Sequence, residues 1–77
     1  MNTTKFQRNN LDQLNSFRVN DEISIYNSIT GNFSFNAIIV SIENTCIKDG
    51  QFLRLAAIKL NNGIIISNTL GSARLNN

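Results

Sequence analysis

The chain has no histidine, no proline and no tryptophan, and a single cysteine, Cys46. Each absence excludes something. Without His, the one side chain that ordinarily titrates near neutral pH is missing, and neither Ser-His-Asp nor Cys-His nucleophile systems can be assembled within one chain. One Cys permits no intrachain disulfide and cannot build a structural zinc site, which usually takes four Cys or His ligands. Without Pro, no position is barred from a strand. The four glycines, Gly31, Gly50, Gly63 and Gly71, are isolated, so there is no glycine-rich loop to cradle a phosphate. Asp21 and Glu22 are neighbours and would point to opposite faces of a strand, which makes them a poor acid–base pair. Cys46 falls within a strand-like run and is expected to be a buried, inert thiol. These absences argue against an enzyme, a metal centre and a cofactor. No apolar run approaches the roughly 18 residues that cross a bilayer. The first eight residues are polar and lack the apolar stretch of an export signal, so a reducing, cytoplasmic location is expected.

What is present is β-forming. Eleven Ile, seven Leu and five Phe dominate the apolar set, and branched and aromatic side chains suit a pleated, half-buried surface. Seventy-seven residues make one domain. Such a domain is expected to hold about 3–5 kcal/mol of stability unless disulfides, metal or self-association add to it. The first two are excluded, which moves self-association forward. Fourteen Asn beside eleven Ile point to AT-rich codons and an AT-rich source such as a mobile element.

Residues 1–8 read as a flexible terminus. Residues 9–77 read as a single small domain with a helix at about 10–18 and strands over about 19–70. Asn10 with Gln13 resembles a capping box, and Leu11, Leu14 and Phe17 share one helical face. Two turns of helix are marginal alone, so that face must pack, and a lid over one end of a barrel is the natural place. Ile23 and Ile25 alternate with Ser24 and Tyr26 as in a half-buried strand. In the run from Phe33 to Ile42, Phe33 and Phe35 lie in one parity, and Ile38, Val40 and Ile42 in the other. A β-bulge near Asn36-Ala37 would put both sets on one face. Two separate strands, or a strand buried on both sides, are the alternatives. Thr30-Gly31-Asn32 and Asp49-Gly50 mark turns, and the run from Gln51 to Leu60 reads as one strand.

The strongest local signal is Asn61-Asn62-Gly63 between two apolar runs, a hairpin. A three-residue turn gathers Ile58, Leu60, Ile64 and Ile66 on the inner face and leaves Lys59 beside Ile65 outside. A two-residue turn would break up that set, and cross-strand apolar pairs contribute about 0.2–1 kcal/mol each. The tail through Leu75 reads as a short closing turn or strand.

Phe17-Arg18-Val19-Asn20-Asp21-Glu22-Ile23 resembles the first strand of SH3-like barrels, with Asn20 in the place of a usual glycine. The order of short helix, strand and bent strand is also similar to the Sm-like family, which includes the bacterial RNA chaperone. Either likeness implies an all-β fold: a small, strongly bent, five-stranded SH3-like or Sm-like barrel with a short N-terminal helix. Such barrels serve as RNA-binding, peptide-binding or subunit-docking modules. Ala56 and Ala57 stand where the RNA chaperones carry a basic, RNA-contacting pair. A family of plasmid-borne dihydrofolate reductases is a tetrameric barrel of this size. Its Val-Gln-Ile-Tyr run is replaced here by Ile64-Ile65-Ile66-Ser67.

The expected function is therefore a non-enzymatic binding module acting through protein–protein contacts, as a regulatory, inhibitory or docking subunit, with self-association included. Tyr26, Lys59 and Ile65 are its candidate contact residues. The alternative is an RNA- or DNA-binding barrel. Lys5, Arg8 and Arg18 precede an acidic middle, and Arg54, Lys59 and Arg74 follow it, so the ends are basic. In that alternative Arg54, Lys59 and Arg74 hold phosphates while Tyr26 stacks a base.

Overall fold

A computed structural model describes residues 8–76. The expectation of a flexible terminus lies, apart from Arg8, outside the described residues. The elements are α1 (Leu11–Ser16), β1 (Glu22–Asn27), β2 (Asn32–Ile42), β3 (Cys46–Lys48), β4 (Gln51–Leu53), β5 (Leu55–Leu60), β6 (Ile65–Thr69), a 3-10 turn (Leu70–Ser72) and β7 (Ala73–Leu75). Five strands form one antiparallel sheet in the order β6-β5-β2-β1-β7, and β3 with β4 forms a separate hairpin. The fold is mostly β, as expected. Among the described residues no sheet closes into a barrel: β6 and β7 are the two edges of the sheet and are not paired with each other.

The helix begins as its sequence dictates. Gln13 N–H donates to Asn10 Oδ1 (2.9 Å), and Asn10 N–H donates to Gln13 Oε1 (2.7 Å). Its last carbonyls would otherwise lack partners. Ser16 Oγ donates to Gln13 C=O, Arg18 Nη1 to Asn15 C=O, and Arg54 Nη1 to Leu14 C=O. Leu14 and Phe17 are buried, whereas Leu11 stays at the surface.

A tight turn links the helix to β1. Asp21 N–H donates to Arg18 C=O, and Arg18 N–H donates to Asp21 Oδ2. Asn20 has φ +75°, the left-handed region that a third turn position requires. This explains why a glycine would suit the place. Asn20→Gly is expected to be neutral or stabilising by up to about 1 kcal/mol, and Asn20→Val destabilising by about 1–2 kcal/mol. Urea midpoints of the two variants check this. A Val variant as stable as the parent contradicts the strain.

The long strand β2 carries two bulges, and neither is at Asn36-Ala37. Ile25 pairs with Phe35 but Tyr26 with Phe33, so Ser34 is the extra residue. Ile39 pairs with Ile58 but Ser41 with Ala57, so Val40 is extra. Phe35, Ala37, Ile39 and Ile42 therefore face inward, while Phe33, Ile38 and Val40 do not join them. Two adjacent isoleucines cannot both enter one core from a pleated strand. Ile39 wins because Asn20 N–H donates to its C=O and its N–H donates to Asp21 C=O, in phase with buried Ile23 and Ile58.

The expected single strand from Gln51 to Leu60 is broken at Arg54. Arg54 C=O accepts from Leu70 N–H, and its guanidinium turns away to Glu43 and Leu14. The β3–β4 hairpin turns at Asp49-Gly50, both at positive φ (+53° and +76°), as its sequence suggests. It stands outside the main sheet, so Cys46 is exposed, against the expectation of a buried thiol.

The Asn61-Asn62-Gly63 turn has the three-residue geometry. Gly63 has φ +87°. Leu60 N–H donates to Ile64 C=O (2.8 Å), Ile58 pairs with Ile66, and Lys59 with Ile65. The core comprises Leu14, Phe17, Ile23, Ile25, Ala37, Ile39, Ala56, Ile58, Leu70 and Ala73. Three of the ten are Ala, so the buried volume is small even for this length. The tail closes it: Asn9 Nδ2 donates to Leu70 C=O (2.7 Å) and Ala73 C=O (2.6 Å), pinning the N-terminal segment to the 3-10 turn.

Candidate functional site

The cross-strand register places Ile25, Phe35, Leu60 and Ile66 on the inner face of four neighbouring strands, β1, β2, β5 and β6. At one end this row is part of the core, and Ile25 is only 7% exposed. At the other end the cover runs out. Phe35 is 52% exposed and Ile66 39% exposed, although both point to the core side. The result is an open groove of about 350 Å³. Tyr26 and Ile29, from the start of the β1–β2 connection, lie on its rim.

The rim is shaped by local hydrogen bonds. Asn27 Oδ1 accepts from Ile29 N–H (2.9 Å), and Asn27 C=O accepts from Gly31 N–H (2.8 Å). This turn holds Ile29 almost fully in solvent, 93% exposed, beside the groove. A second hollow of about 270 Å³ at Ser34, Asn61 and Asn62 shares Phe35 and Leu60 with the groove and extends it towards the β5–β6 turn. An apolar concavity rimmed by Asn and Ser is the form of surface that binds another apolar surface. It offers shape and dispersion contacts, and its lining among the described residues holds no Asp, Glu, Lys, Arg or Cys. Among the described residues no group of three or more His, Cys, Asp or Glu is placed to hold a metal ion.

The candidate contact residues from the sequence do not form one site. Lys59 and Ile65 are neighbours on the outer face, as expected, in a row that runs Glu22, Ile38, Lys59, Ile65 across four strands. Tyr26 is elsewhere. Its ring meets Phe33 edge-to-face, with centroids 5.5 Å apart.

The three cations of the nucleic-acid alternative are also dispersed. Arg54 Nε donates to Glu43 C=O and Arg54 Nη1 to Leu14 C=O, both at 2.7 Å. Arg54 is thus occupied within the fold. The Arg74 guanidinium lies 4.5 Å from the Phe33 ring centre, a cation–π contact. Lys59 is exposed on β5, three strand spacings or about 14 Å from β7. Arg54 and Arg74 could not have been separated from Lys59 by composition, because what distinguishes them is what their guanidiniums touch.

Phe35, Leu60 and Ile66 are the site residues that sequence reasoning missed. The hairpin register already placed Leu60 and Ile66 on the inner face. What it could not give is that the helix leaves that end of the face open. The chain matches no protein-family model, no curated protein and no solved structure.

Proposed function

We propose that this chain is a small, non-enzymatic binding module that acts through protein–protein contacts, as a regulatory, inhibitory or docking subunit. The observation that carries the reading is Phe35, an aromatic side chain on the core side of the sheet that is half exposed beside buried Ile25. Aromatic side chains in apolar concavities are the usual anchors of protein interfaces. Burial of a ring of this size contributes about 2–3 kcal/mol. The fold supports the same reading. Four strands of the sheet are followed by a 3-10 turn and a last strand that returns to lie beside β1. That order is similar to an SH3-like or Sm-like barrel left open between β6 and β7, and such folds serve as docking modules. A mobile-element origin and a reducing, cytoplasmic setting belong to this proposal. No helix among the described residues is long and apolar enough to cross a membrane.

The competing nucleic-acid reading has less behind it. Of Arg54, Lys59 and Arg74, one guanidinium is consumed by carbonyls and one lies on Phe33. The test is capture from the native source with the full chain and with Phe35→Asp. The charged side chain is expected to lower capture of any specific protein at least about ten-fold, the effect of losing an interface anchor. The fold should survive, because Phe35 is half in solvent. Equal capture by both proteins sinks the groove as the contact surface.

A further inference from the structure

Among the described residues the edge strand β6 lacks the devices that normally blunt an edge. Strand edges are protected by Lys, Pro, bulges or a covering element, because their unpaired backbone groups template further pairing. β6 has no charged residue and no Pro, and its pairing with β5 is regular throughout. No ionisable side chain occurs anywhere from Leu60 to Ala73.

Which backbone groups are free follows from the ladder. Leu60 N–H donates to Ile64 C=O, and Leu70 N–H to Arg54 C=O. Antiparallel pairing alternates, so Ile64, Ile66 and Asn68 bond towards β5, whereas Ile65, Ser67 and Thr69 face the open edge. Thr69 N–H is already taken by Asn68 Oδ1 at 2.8 Å. Among the described residues this leaves the N–H and C=O of Ile65 and Ser67 as the outward pair.

We infer that β6 pairs antiparallel with β6 of a second copy of this chain, about a two-fold axis at Ile66. This register sets Ile65 opposite the partner's Ser67 and Ser67 opposite the partner's Ile65. It forms four backbone hydrogen bonds and uses just the groups that are free. A two-fold interface must be self-complementary, and a segment of two outward residues flanking a central one meets that condition. The axis also sets Ile66 against the partner's Ile66 in a close, non-hydrogen-bonded pair on the inner face. Two grooves then join across the axis, and the exposed side of Ile66 is covered.

Charge permits it. The chain carries a net +2, which opposes self-association in general. The uncharged stretch removes that opposition at this edge. The nearest cation on β5, Lys59, would sit three strand spacings or about 14 Å from its mate, beyond the screening length of about 10 Å at 0.1 M salt. Stability points the same way, since ten core residues, three of them Ala, leave a single copy marginal. The inference uses the strand edge and does not rest on the groove's binding another protein.

The test is the solution mass of the full chain up to roughly 100 μM, a range in which modest interfaces associate. The parent is expected at twice the monomer mass, with amide exchange at Ile65 and Ser67 slowing as concentration rises. Ser67→Pro is compatible with the single copy, because Ser67 N–H faces away from β5 and Pro is tolerated on such edges. It should give a folded monomer. Ile65→Lys, which places a charge on the free edge, should do the same and serves if the Pro variant fails to fold. Phe35→Asp should keep the doubled mass while losing partner capture, which separates failure of this inference from failure of the groove. A parent that stays monomeric, or a dimer that neither edge variant dissociates, overturns the pairing. So does an edge protected only when a different protein is added.

Discussion

Ile58→Ala is expected to leave most of the protein unfolded at room temperature. Ile58 is fully buried on β5 and lies between Ile39 of β2 and Ile66 of β6 in the cross-strand register. Among the described residues only five large side chains are buried to this degree: Leu14, Ile23, Ile39, Ile58 and Leu70. Truncating a buried Ile to Ala costs about 2–5 kcal/mol, the more so where the surroundings cannot collapse into the cavity. Here they cannot, because hydrogen-bonded neighbours on both sides fix the spacing of β5. A domain of this size has about 3–5 kcal/mol to lose. Far-UV circular dichroism and a urea titration, made at one protein concentration for all variants, check this. Ile47→Ala is the control, as Ile47 is 67% exposed on the separate hairpin and should change stability by no more than about 0.5 kcal/mol. An Ile58→Ala midpoint equal to the parent's would mean that the core does not hold this sheet together.

The parts of the fold that were legible in the sequence are those decided within a few residues. The Asn10–Gln13 box, the Asp49-Gly50 turn and the register set by Gly63 all depend on local backbone preference. The bulges of β2 were not legible at their true places. From Phe33 to Ile42 the strand is apolar in both parities, so its own pattern cannot choose a face. The choice is made by residues far away in sequence, including Asn20, Asp21 and Ile58. The exposure of Cys46 has a related cause: a strand-like run suggests burial, but its hairpin stands apart from the main sheet. The groove was half legible. Its residues could be put on the inner face, but where the cover ends depends on the docking of α1, which the sequence does not express locally.

Arg54→Ala is expected to lower stability by about 2 kcal/mol. Two charge-assisted hydrogen bonds are lost, each worth about 1.5–3 kcal/mol when shielded and less here because the side chain is partly in solvent. Both distances are 2.7 Å. The acceptors are Leu14 C=O in the last turn of α1 and Glu43 C=O beyond β2, so one guanidinium ties the helix to the start of β5. Glu43 N–H returns a bond to Leu55 C=O (2.9 Å), which closes the junction. Arg54→Lys should restore little, since a single ammonium group on a flexible stem cannot reproduce a fork aimed at two carbonyls. Loss of this tie should show first at the helix, as faster amide exchange at Leu14, whose N–H bonds to Asn10 C=O at 2.9 Å. Arg74→Ala and Lys59→Ala, at exposed positions, should each change stability by no more than about 0.5 kcal/mol. The three Ala variants decide between a structural and a nucleic-acid role for Arg54. A phosphate-binding Arg54 would leave stability unchanged in Arg54→Ala and reduce the salt slope of nucleic-acid binding by about one. Unfolding at lower urea with no change in such a slope places Arg54 inside the fold, as the tie between the helix and the start of β5.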